Sequence, residues 1–287
     1  MADGRRPQIV VFQETPPTHL NESLGDKYRQ ICEEDTVQDG GLLSGVVMVT
    51  AVFKNNLGES KCISGTGFVI DDHHILTAGH IIWCNQLGLA RNIQIHRDCR
   101  SLSREYYVDA GAVHFNWAND FWGANDQALL HVSTPFPQKI KRMEYSQTPT
   151  LGDDFTVKTY GFPCDLPKGR TGLWPAHVSH TEGHARYTLG DLFLLHRGHT
   201  NLGNSGGPVV DGSSGEAIAV HVGTDLLHPQ GSVDSVGFAT AINRNGNNIE
   251  KCISSITIST KLGPAEIPEV GKSSAFKYYG WSVACFT

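Results

Sequence analysis

Short runs of β-branched and aromatic residues recur along most of the chain, and no long helical pattern separates them. The first series predicts strands at Ser44–Lys54, Gly65–Ile70, His74–Ala78, Asn92–Arg97, Glu105–His114 and Gln127–Val132. The second series predicts strands at Phe155–Gly161, Leu173–His180, Tyr187–His196, Pro208–Val210, Glu216–Val222 and Val236–Ile242. Consecutive strands without intervening helices favour antiparallel barrels or sandwiches over βαβ units, so we expect an all-β fold.

A proline-bearing break at Ser133–Pro137 separates the two series of strands. It allows two barrels of roughly 100 residues each, which is a normal domain size. We therefore expect a first barrel at 44–137 and a second barrel at 138–256, which ends in a closing helix over Asn247–Ile256. Residues 1–43 would form an N-terminal arm or prosegment, and 257–287 a C-terminal extension whose aromatic end packs back on the body.

The composition excludes several classes of protein. Only 18% of the 287 residues are charged and 39% are hydrophobic, which is too apolar for a disordered chain. The net charge of −6 offers no basic surface, so we expect no nucleic-acid partner. No apolar run approaches the ~18 residues of a membrane-spanning helix, so we expect no membrane insertion. The first residues lack the apolar core of a secretory signal, which predicts a cytoplasmic protein, or a secreted one if a signal was removed.

Three short segments carry the residue types that nucleophilic catalysis by a hydroxyl needs. Thr77–His80 (TAGH) ends a predicted strand with a histidine, Asn125–Leu130 (NDQALL) places an acid before an apolar strand, and Gly203–Pro208 (GNSGGP) places a serine in a glycine-rich turn. A serine hydroxyl needs a base within about 3 Å to take its proton, and a third group to orient that base. The three segments together supply one candidate for each part.

Each candidate has a definite role in this chemistry. His80 is the candidate base, Asp126 the acid that orients it, and Ser205 the nucleophile. The N–H groups of Gly203 and Ser205 are candidates for an oxyanion hole, whose donors are typically worth ~10²–10³ in rate. The histidine and the acid belong to the first series of strands and the serine to the second. The sequence therefore predicts an active site in the cleft between the two barrels.

The three motifs, in this order, resemble those of the chymotrypsin-fold serine endopeptidases. The resemblance covers roughly Ser44 to Ile256 and implies two antiparallel six-stranded β-barrels, an acyl-enzyme on Ser205 and a protein or peptide substrate. It favours Asp126 over the alternative acid Asp120, because an apolar strand follows Asp126 as the family pattern requires.

The residue before the nucleophile is Asn204, whereas animal trypsins have an Asp that pairs with a new amino terminus on activation. This departure puts that activation route in doubt and resembles the bacterial and fungal glutamyl endopeptidases. Six residues before Ser205 stands His199, where enzymes selecting Lys or Arg carry an Asp. A basic preference is therefore not indicated.

The resemblance to glutamyl endopeptidases also implies how the substrate is bound. Thr200 and His221 would bind the carboxylate of a Glu or Asp just before the scissile bond, that is, at P1. The backbone of Val222, Gly223 and Thr224 would pair with the substrate as an added strand. A protonated His221 would strengthen the pull on a carboxylate, so we expect a bell-shaped pH profile with a steep alkaline limb on Glu substrates.

Two other functions fit the same fold. One is a protease of the same fold with a small or apolar preference, and the other is a binding protein that kept the fold and lost catalysis. A peptide library distinguishes the first from a glutamyl endopeptidase, and labelling by a fluorophosphonate distinguishes the second.

Clustered histidines are the remaining pattern that bears on a cofactor. They are spaced as metal ligands can be, but no acidic or Cys ligand clearly accompanies His177, His180, His184, His196 and His199. The seven cysteines form no CxxC pair. We therefore expect no metal site and no cofactor.

Overall fold

The computed structural model of the protein describes residues 30–32, 37–54, 60–84, 87–90, 92–97, 105–120, 123–165, 178–187, 191–224, 236–262, 277–278 and 281–285. Most of the arm at 1–43, the histidine at position 177 and most of the extension at 257–287 lie outside these residues.

The described part of the chain is built mainly of strands. They are β1 Gln30–Ile31, β2 Val46–Lys54, β3 Ser60–Val69, β4 His74–Thr77, β5 Trp83–Cys84, β6 Gly88–Leu89, β7 Asn92–His96, β8 Glu105–His114, β9 Ala128–Val132, β10 Leu151–Gly161, β11 Ser179–Tyr187, β12 Leu194–His196, β13 Pro208–Asp211, β14 Ala217–Thr224, β15 Gly237–Ala241, β16 Lys277–Tyr278 and β17 Trp281–Cys285. The helices are α1 Gly79–Ile82, α2 Phe115–Asp120 and α3 Ile249–Leu262, and a 3-10 turn spans Gly123–Asn125.

The first barrel runs in the order β8-β7-β2-β3-β4-β9 and closes where β9 pairs with β8. All of its strand pairs are antiparallel. Alternate apolar side chains point inward because successive residues of a strand face opposite sides. Its core includes the fully buried Val47, Val49, Phe68, Leu76 and Leu129.

The second barrel runs in the order β11-β10-β13-β14-β15-β12 and closes where β12 pairs with β11. These pairs are also antiparallel. Its smaller core includes Val157, Tyr187, Leu194 and Val209. Two closed six-stranded antiparallel barrels are therefore present, and the predicted fold class is confirmed.

Segments from both ends of the chain add strands to the barrels. β1 pairs with β11 of the second barrel, and β17 pairs with β8 of the first, with Trp281 opposite His114. The extension therefore packs back on the body, as its composition predicted. None of the helices in the described ranges has the length and apolarity that a bilayer-spanning segment needs.

Several predicted elements differ from the structure. The strand predicted over Leu173–His180 lies mostly outside the described residues, and its last two positions, Ser179 and His180, begin β11. The strand predicted over Tyr187–His196 is wrong, because β11 already ends at Tyr187 and β12 begins only at Leu194. The two strands then pair as neighbours, with Ala185 opposite His196. The closing helix runs over Ile249–Leu262 rather than Asn247–Ile256. Its start is set by Asn248 and Asn243, whose side chains accept the N–H groups of Lys251 and Ile249.

Candidate active site

His80 and Asp126 lie in direct contact in the first barrel. The Nδ1 atom of His80 is 2.7 Å from Oδ2 of Asp126, and the backbone N–H of His80 donates to Oδ1 at 2.8 Å. Asp126 is 1% exposed, so its carboxylate has lost most of its water and is satisfied by His80 instead. The two bonds fix the direction of the imidazole ring and make Nδ1 the protonated nitrogen, which leaves Nε2 as the acceptor.

The electrostatics of His80 follow from this contact. Burial alone would lower the pKa of His80, but attraction to the Asp126 carboxylate and the hydrogen bond to it outweigh burial and raise the pKa above its ordinary value. The ring lies edge-on to Trp117, with 6.5 Å between ring centroids. A Cβ at Gly79 would lie 2.8 Å from Trp117 and 3.0 Å from Oδ1 of Asp126, so this close approach requires glycine in the TAGH motif.

The segment that carries Asp126 is held by the second barrel. Asn125 donates through Nδ2 to Oδ1 of Asn247 at 2.9 Å and to the carbonyl of Asn245 at 2.8 Å. Asn247 returns a bond from Nδ2 to the carbonyl of Ala124 at 2.8 Å. Thr240 on β15 donates to the carbonyl of Asp126 at 3.2 Å. These buried bonds fix the acid of one barrel against the frame of the other.

The turn that carries Ser205 is held by the first barrel in the same way. The N–H of Thr66 on β3 donates to the carbonyl of Ser205 at 2.7 Å. The Thr66 hydroxyl donates to the carbonyl of Gly203 at 2.7 Å and accepts the N–H of Phe162 at 2.9 Å. Thr66 therefore joins the serine turn to β3. Because β3 pairs with β4, and β4 leads directly to His80, the same strand connects the serine turn with the histidine segment.

Two glycines of the turn permit its close contacts. Gly203 and Gly206 have φ angles of +94° and +86°, in the left-handed region that favours glycine. A Cβ at Gly206 would collide with the carbonyl of Thr66 and the hydroxyl of Thr77, next to the histidine-bearing segment. The serine turn is thus packed directly against the end of β4.

The backbone of the turn leaves two N–H groups available. Asn204 donates its N–H to the carbonyl of Asn201, and Gly206 donates to the carbonyl of His221. Among the described residues, the N–H groups of Gly203 and Ser205 have no backbone acceptor. These are the two groups predicted to form an oxyanion hole.

Beside the serine turn, β14 carries the residues predicted to bind substrate. The N–H of His221 donates to the carbonyl of Gly207, and its carbonyl accepts from Gly206, so this histidine lies directly behind the turn. The register pairs of β13 with β14 end at Pro208 and Val220. In the described part of the chain, Val222–Thr224 therefore has a strand neighbour only in β15.

Thr200 and His221 are both buried, at 4% and 2% exposure. The hydroxyl of Thr200 has no hydrogen-bond partner within the described ranges, and no bond joins it to His221. Burial, followed by the nearby His196 and His80, holds the pKa of His221 well below its ordinary value. His221 is thus neutral at neutral pH. This lowered pKa disfavours the protonated His221 on which the expected steep alkaline limb depends.

The other predicted candidates have simpler outcomes. Asp126 contacts His80, whereas Asp120 ends helix α2. Asn204 is buried beside the serine and cannot supply a charged partner for an amino terminus. Among the residues that the structure describes, no group of three or more His, Cys, Asp or Glu side chains is arranged to hold a metal ion.

A family model described as a trypsin-like peptidase domain matches residues 65–220, which is more than half of the chain. The chain belongs to the trypsin-like peptidase domain family. It is therefore a serine endopeptidase, and its substrates are peptides or proteins. A search of curated protein sequences finds no match.

Solved structures show the same fold at low sequence identity. A Glu endopeptidase in complex with MPD superposes with a TM-score of 0.59 at 17% identity, over 84% of this chain and 99% of that one. The protease Anisep from Arthrobacter nicotinovorans gives 0.56 at 16% identity, over 77% and 96%. A thermostable serine protease, AL20, from an extremophilic microorganism gives 0.54 at 18% identity, over 69% and 91%.

Several residues that support the site were missed by the sequence analysis. Thr66, Thr240 and Asn247 carry no motif and act on segments 114 to 137 residues away in the chain. His196 was considered only as a metal ligand, but it contacts His221. A clue for Asn125 was present, because it belongs to one of the three segments singled out.

Proposed function

We propose that this endopeptidase cleaves through Ser205, with His80 as general base and Asp126 as its orienting acid. The observation that carries the proposal is the pair of hydrogen bonds between Asp126 and His80, which leaves Nε2 as an acceptor. His80 Nε2 takes the hydroxyl proton as Ser205 Oγ attacks the substrate carbonyl. The substrate carbonyl oxygen, which becomes negative during this attack, accepts hydrogen bonds from the N–H groups of Gly203 and Ser205.

The rest of the cycle uses the same groups. The imidazolium at His80 is stabilised by the Asp126 carboxylate. It returns its proton to the leaving amine, which departs and leaves an acyl ester on Ser205. His80 then takes a proton from water as the water oxygen attacks the ester carbonyl, and it returns that proton to Ser205 Oγ as the ester bond breaks and the acid product leaves. The whole cycle needs no metal ion.

We further propose a preference for Glu, or Asp, at P1. Thr200 supports this, because a buried hydroxyl without a partner has a free hydrogen-bonding capacity that a substrate oxygen satisfies. His221 supports it because it lies directly behind the serine turn. The side of Val222–Thr224 that has no strand neighbour in the described part of the chain is suited to an extended substrate, which would add as a further strand. The Glu endopeptidase among the structural neighbours has the same fold.

The catalytic assignment is tested by Ser205→Ala in the full chain. Loss of both hydrolysis and fluorophosphonate labelling is expected, because no other residue then provides the attacking oxygen. Ser213→Ala is a matched control, since Ser213 is exposed and its hydroxyl donates to Asp211, away from the serine turn. Hydrolysis that survives Ser205→Ala would refute the assignment, and a wild-type chain that never labels would favour a binding protein.

The P1 assignment is tested by digestion of a proteome-derived peptide library. Cleavage after Glu or Asp is expected, and His221→Ala and Thr200→Val should each lower the ratio of cleavage after Glu to cleavage after Leu by ~10-fold. A Glu preference that survives His221→Ala would show that the pocket lies elsewhere. Cleavage mainly after small or apolar residues would replace the proposal with the other protease specificity.

A further inference from the structure

Two buried histidines touch behind the serine turn, and only one of them has been given a role. His196 on β12 and His221 on β14 are 1% and 2% exposed. Nε2 of His196 lies 3.0 Å from Nδ1 of His221, and their ring centroids are 5.1 Å apart. The strand β15 separates β12 from β14 in the sheet, so the two rings meet across a strand that must leave room for them.

Gly237 on β15 leaves that room. A Cβ at this position would come within 2.5 Å of Nε2 and 2.9 Å of Nδ1 of His196. The absence of a side chain at Gly237 therefore allows the His196 ring to lie where it does. The ring fills a space that is fitted to it, which is the packing expected of a positioned group rather than of a loosely held one.

The hydrogen bonds determine which ring nitrogens carry protons. The backbone N–H of Gly198 donates to Nδ1 of His196 at 3.2 Å, and a backbone N–H is always a donor. Nδ1 of His196 therefore holds a lone pair, and its proton is on Nε2. That proton is donated to Nδ1 of His221, so Nδ1 of His221 also holds a lone pair. Only Nε2 of His221 is then left to carry a proton.

We propose that His196 is a positioning residue that holds His221 as a neutral Nε2–H donor, so that the P1 side chain is recognised by its acceptor oxygen and Gln is accepted beside Glu. The inference rests on the proposed function, because it deepens the role of the same pocket. While Nδ1 of His221 accepts from His196, the His221 ring cannot be an imidazolium. Burial, which lowers the pKa of His196 to about 4, supports this neutral state.

A neutral donor selects side chains differently from a cation. It donates a hydrogen bond equally to a carboxylate oxygen or to a carboxamide oxygen, because both are acceptors. It rejects Lys and Arg, whose side chains only donate, and it leaves Leu without a partner. The predicted substrate class is thus peptides with Glu or Gln at P1, rather than acidic residues alone.

The tautomer is measured directly by ¹⁵N NMR of the histidine rings in the full chain carrying Ser205→Ala, which prevents self-cleavage. The signals are assigned by their loss in His221→Gln and His196→Gln. We expect Nε2 protonated and Nδ1 unprotonated for both residues at pH 7. Protonation of His221 at Nδ1, or at both nitrogens, would overturn the proposal whatever the substrate preference.

The positioning role is measured by kinetics on matched peptides with Glu, Gln or Leu at P1. Wild type should cleave after Gln within ~10-fold of Glu, because both offer an acceptor oxygen. His196→Leu should lower the Glu-to-Leu and Gln-to-Leu ratios of kcat/KM by ~10-fold, because Nδ1 of His221 loses its donor. His196→Gln should recover most of both ratios, since the amide N–H replaces that donor.

His180→Leu is the matched control, because this partly buried histidine belongs to the same barrel and contacts Cys32 instead. It should leave both ratios unchanged. Equal losses on all three peptides in His196→Leu, without rescue by Gln, would reduce His196 to a packing residue. Cleavage after Glu but not after Gln would overturn the neutral donor and leave the proposed function standing. Cleavage that favours neither would overturn the P1 assignment itself.

Discussion

Two histidines, one from each barrel, show how a partner determines what an imidazole does. His80 is bonded to the buried carboxylate of Asp126, whereas His221 is bonded to another imidazole, that of His196. The contact with Asp126 raises the pKa of His80, whereas burial, His196 and His80 itself hold the pKa of His221 well below its ordinary value. The two rings are close enough to influence each other, yet they are driven in opposite directions.

This difference fits the two tasks that we assign to the rings. A base that takes a proton and passes it on benefits from an anion that stabilises its charged state. A donor that recognises a substrate oxygen benefits from a fixed tautomer that does not titrate during turnover. Burial acts on both rings, and the residue type is the same, so the groups bonded to Nδ1 are the main difference between them. Substitutions of the two partners, Asp126 and His196, therefore test this difference most directly.

The largest effect is expected from Asp126→Asn. The amide oxygen can still accept the backbone N–H of His80, but its N–H₂ then faces Nδ1, which forces the proton of His80 to Nε2. The ring can no longer accept the proton of Ser205, so kcat should fall by ~10⁴-fold on every substrate. The measurement is kcat/KM on Glu and Leu peptides, whose ratio should be unchanged.

Asp109→Asn is a matched control for this variant. Asp109 bonds to Nδ1 of His131 at 2.6 Å, which repeats the same pair of side chains at the opposite end of β9 from Asp126. Its removal should leave turnover close to wild type. If Asp126→Asn kept more than a tenth of kcat, the assignment of Asp126 as the orienting acid would be refuted.

The lowered pKa of His196 and the raised pKa of His80 predict how the free energy of unfolding depends on pH. Burial lowers the pKa of His196 to about 4 in the folded protein, so on acidification the unfolded chain binds this proton at a higher pH than the folded protein does. The contribution of His196 to the free energy of unfolding is therefore present above pH 6.5 and is lost as the pH falls toward about 4. At pH 5 this loss amounts to ~2 kcal/mol for a group shifted that far. The raised pKa of His80 acts with the opposite sign, since the folded protein then binds a proton first on acidification.

Urea unfolding at pH 7.5 and pH 5.0, in the Ser205→Ala background, measures both contributions. His196→Gln should lose less stability on acidification than the parent, because the group that resists protonation is gone. Asp126→Asn should lose more, because the favourable protonation of His80 is gone. Identical pH dependence in the parent and in His196→Gln would mean that His196 is not buried in its neutral form.

What the sequence predicted and what it missed follow from the same physics. His80, Asp126 and Ser205 could be proposed from the sequence because each stands in a local motif whose neighbours, the glycines and the apolar strand, are contiguous with it. His196 was absorbed into a single predicted strand over Tyr187–His196, and its role depends on a partner 25 residues away. Apolar periodicity places a residue on a face but does not say which other strand that face meets.

The barrels were predictable for a related reason. Short strands and the break at Ser133–Pro137 limit the chain to a few antiparallel arrangements, and the family resemblance selected one of them. Thr66 was not predictable, because nothing in a strand marks one hydroxyl as the link to a turn 137 residues away. The contacts that hold the site together are between the barrels, and they come from ordinary residues of each.

The smallest expected effect concerns the pH dependence of catalysis. His80 must be neutral to act as a base, and its pKa is raised, so kcat/KM should fall on the acidic side with a midpoint above 6.5. The ratio of cleavage after Glu to cleavage after Leu should change by less than about 2-fold between pH 6 and 8, because His221 remains neutral throughout and the Glu side chain remains ionised. The measurement is kcat/KM for both peptides at half-unit steps. A ratio that rises steadily on acidification would show that His221 gains a proton in this range. The claim that His221 stays neutral while His80 titrates would then be refuted.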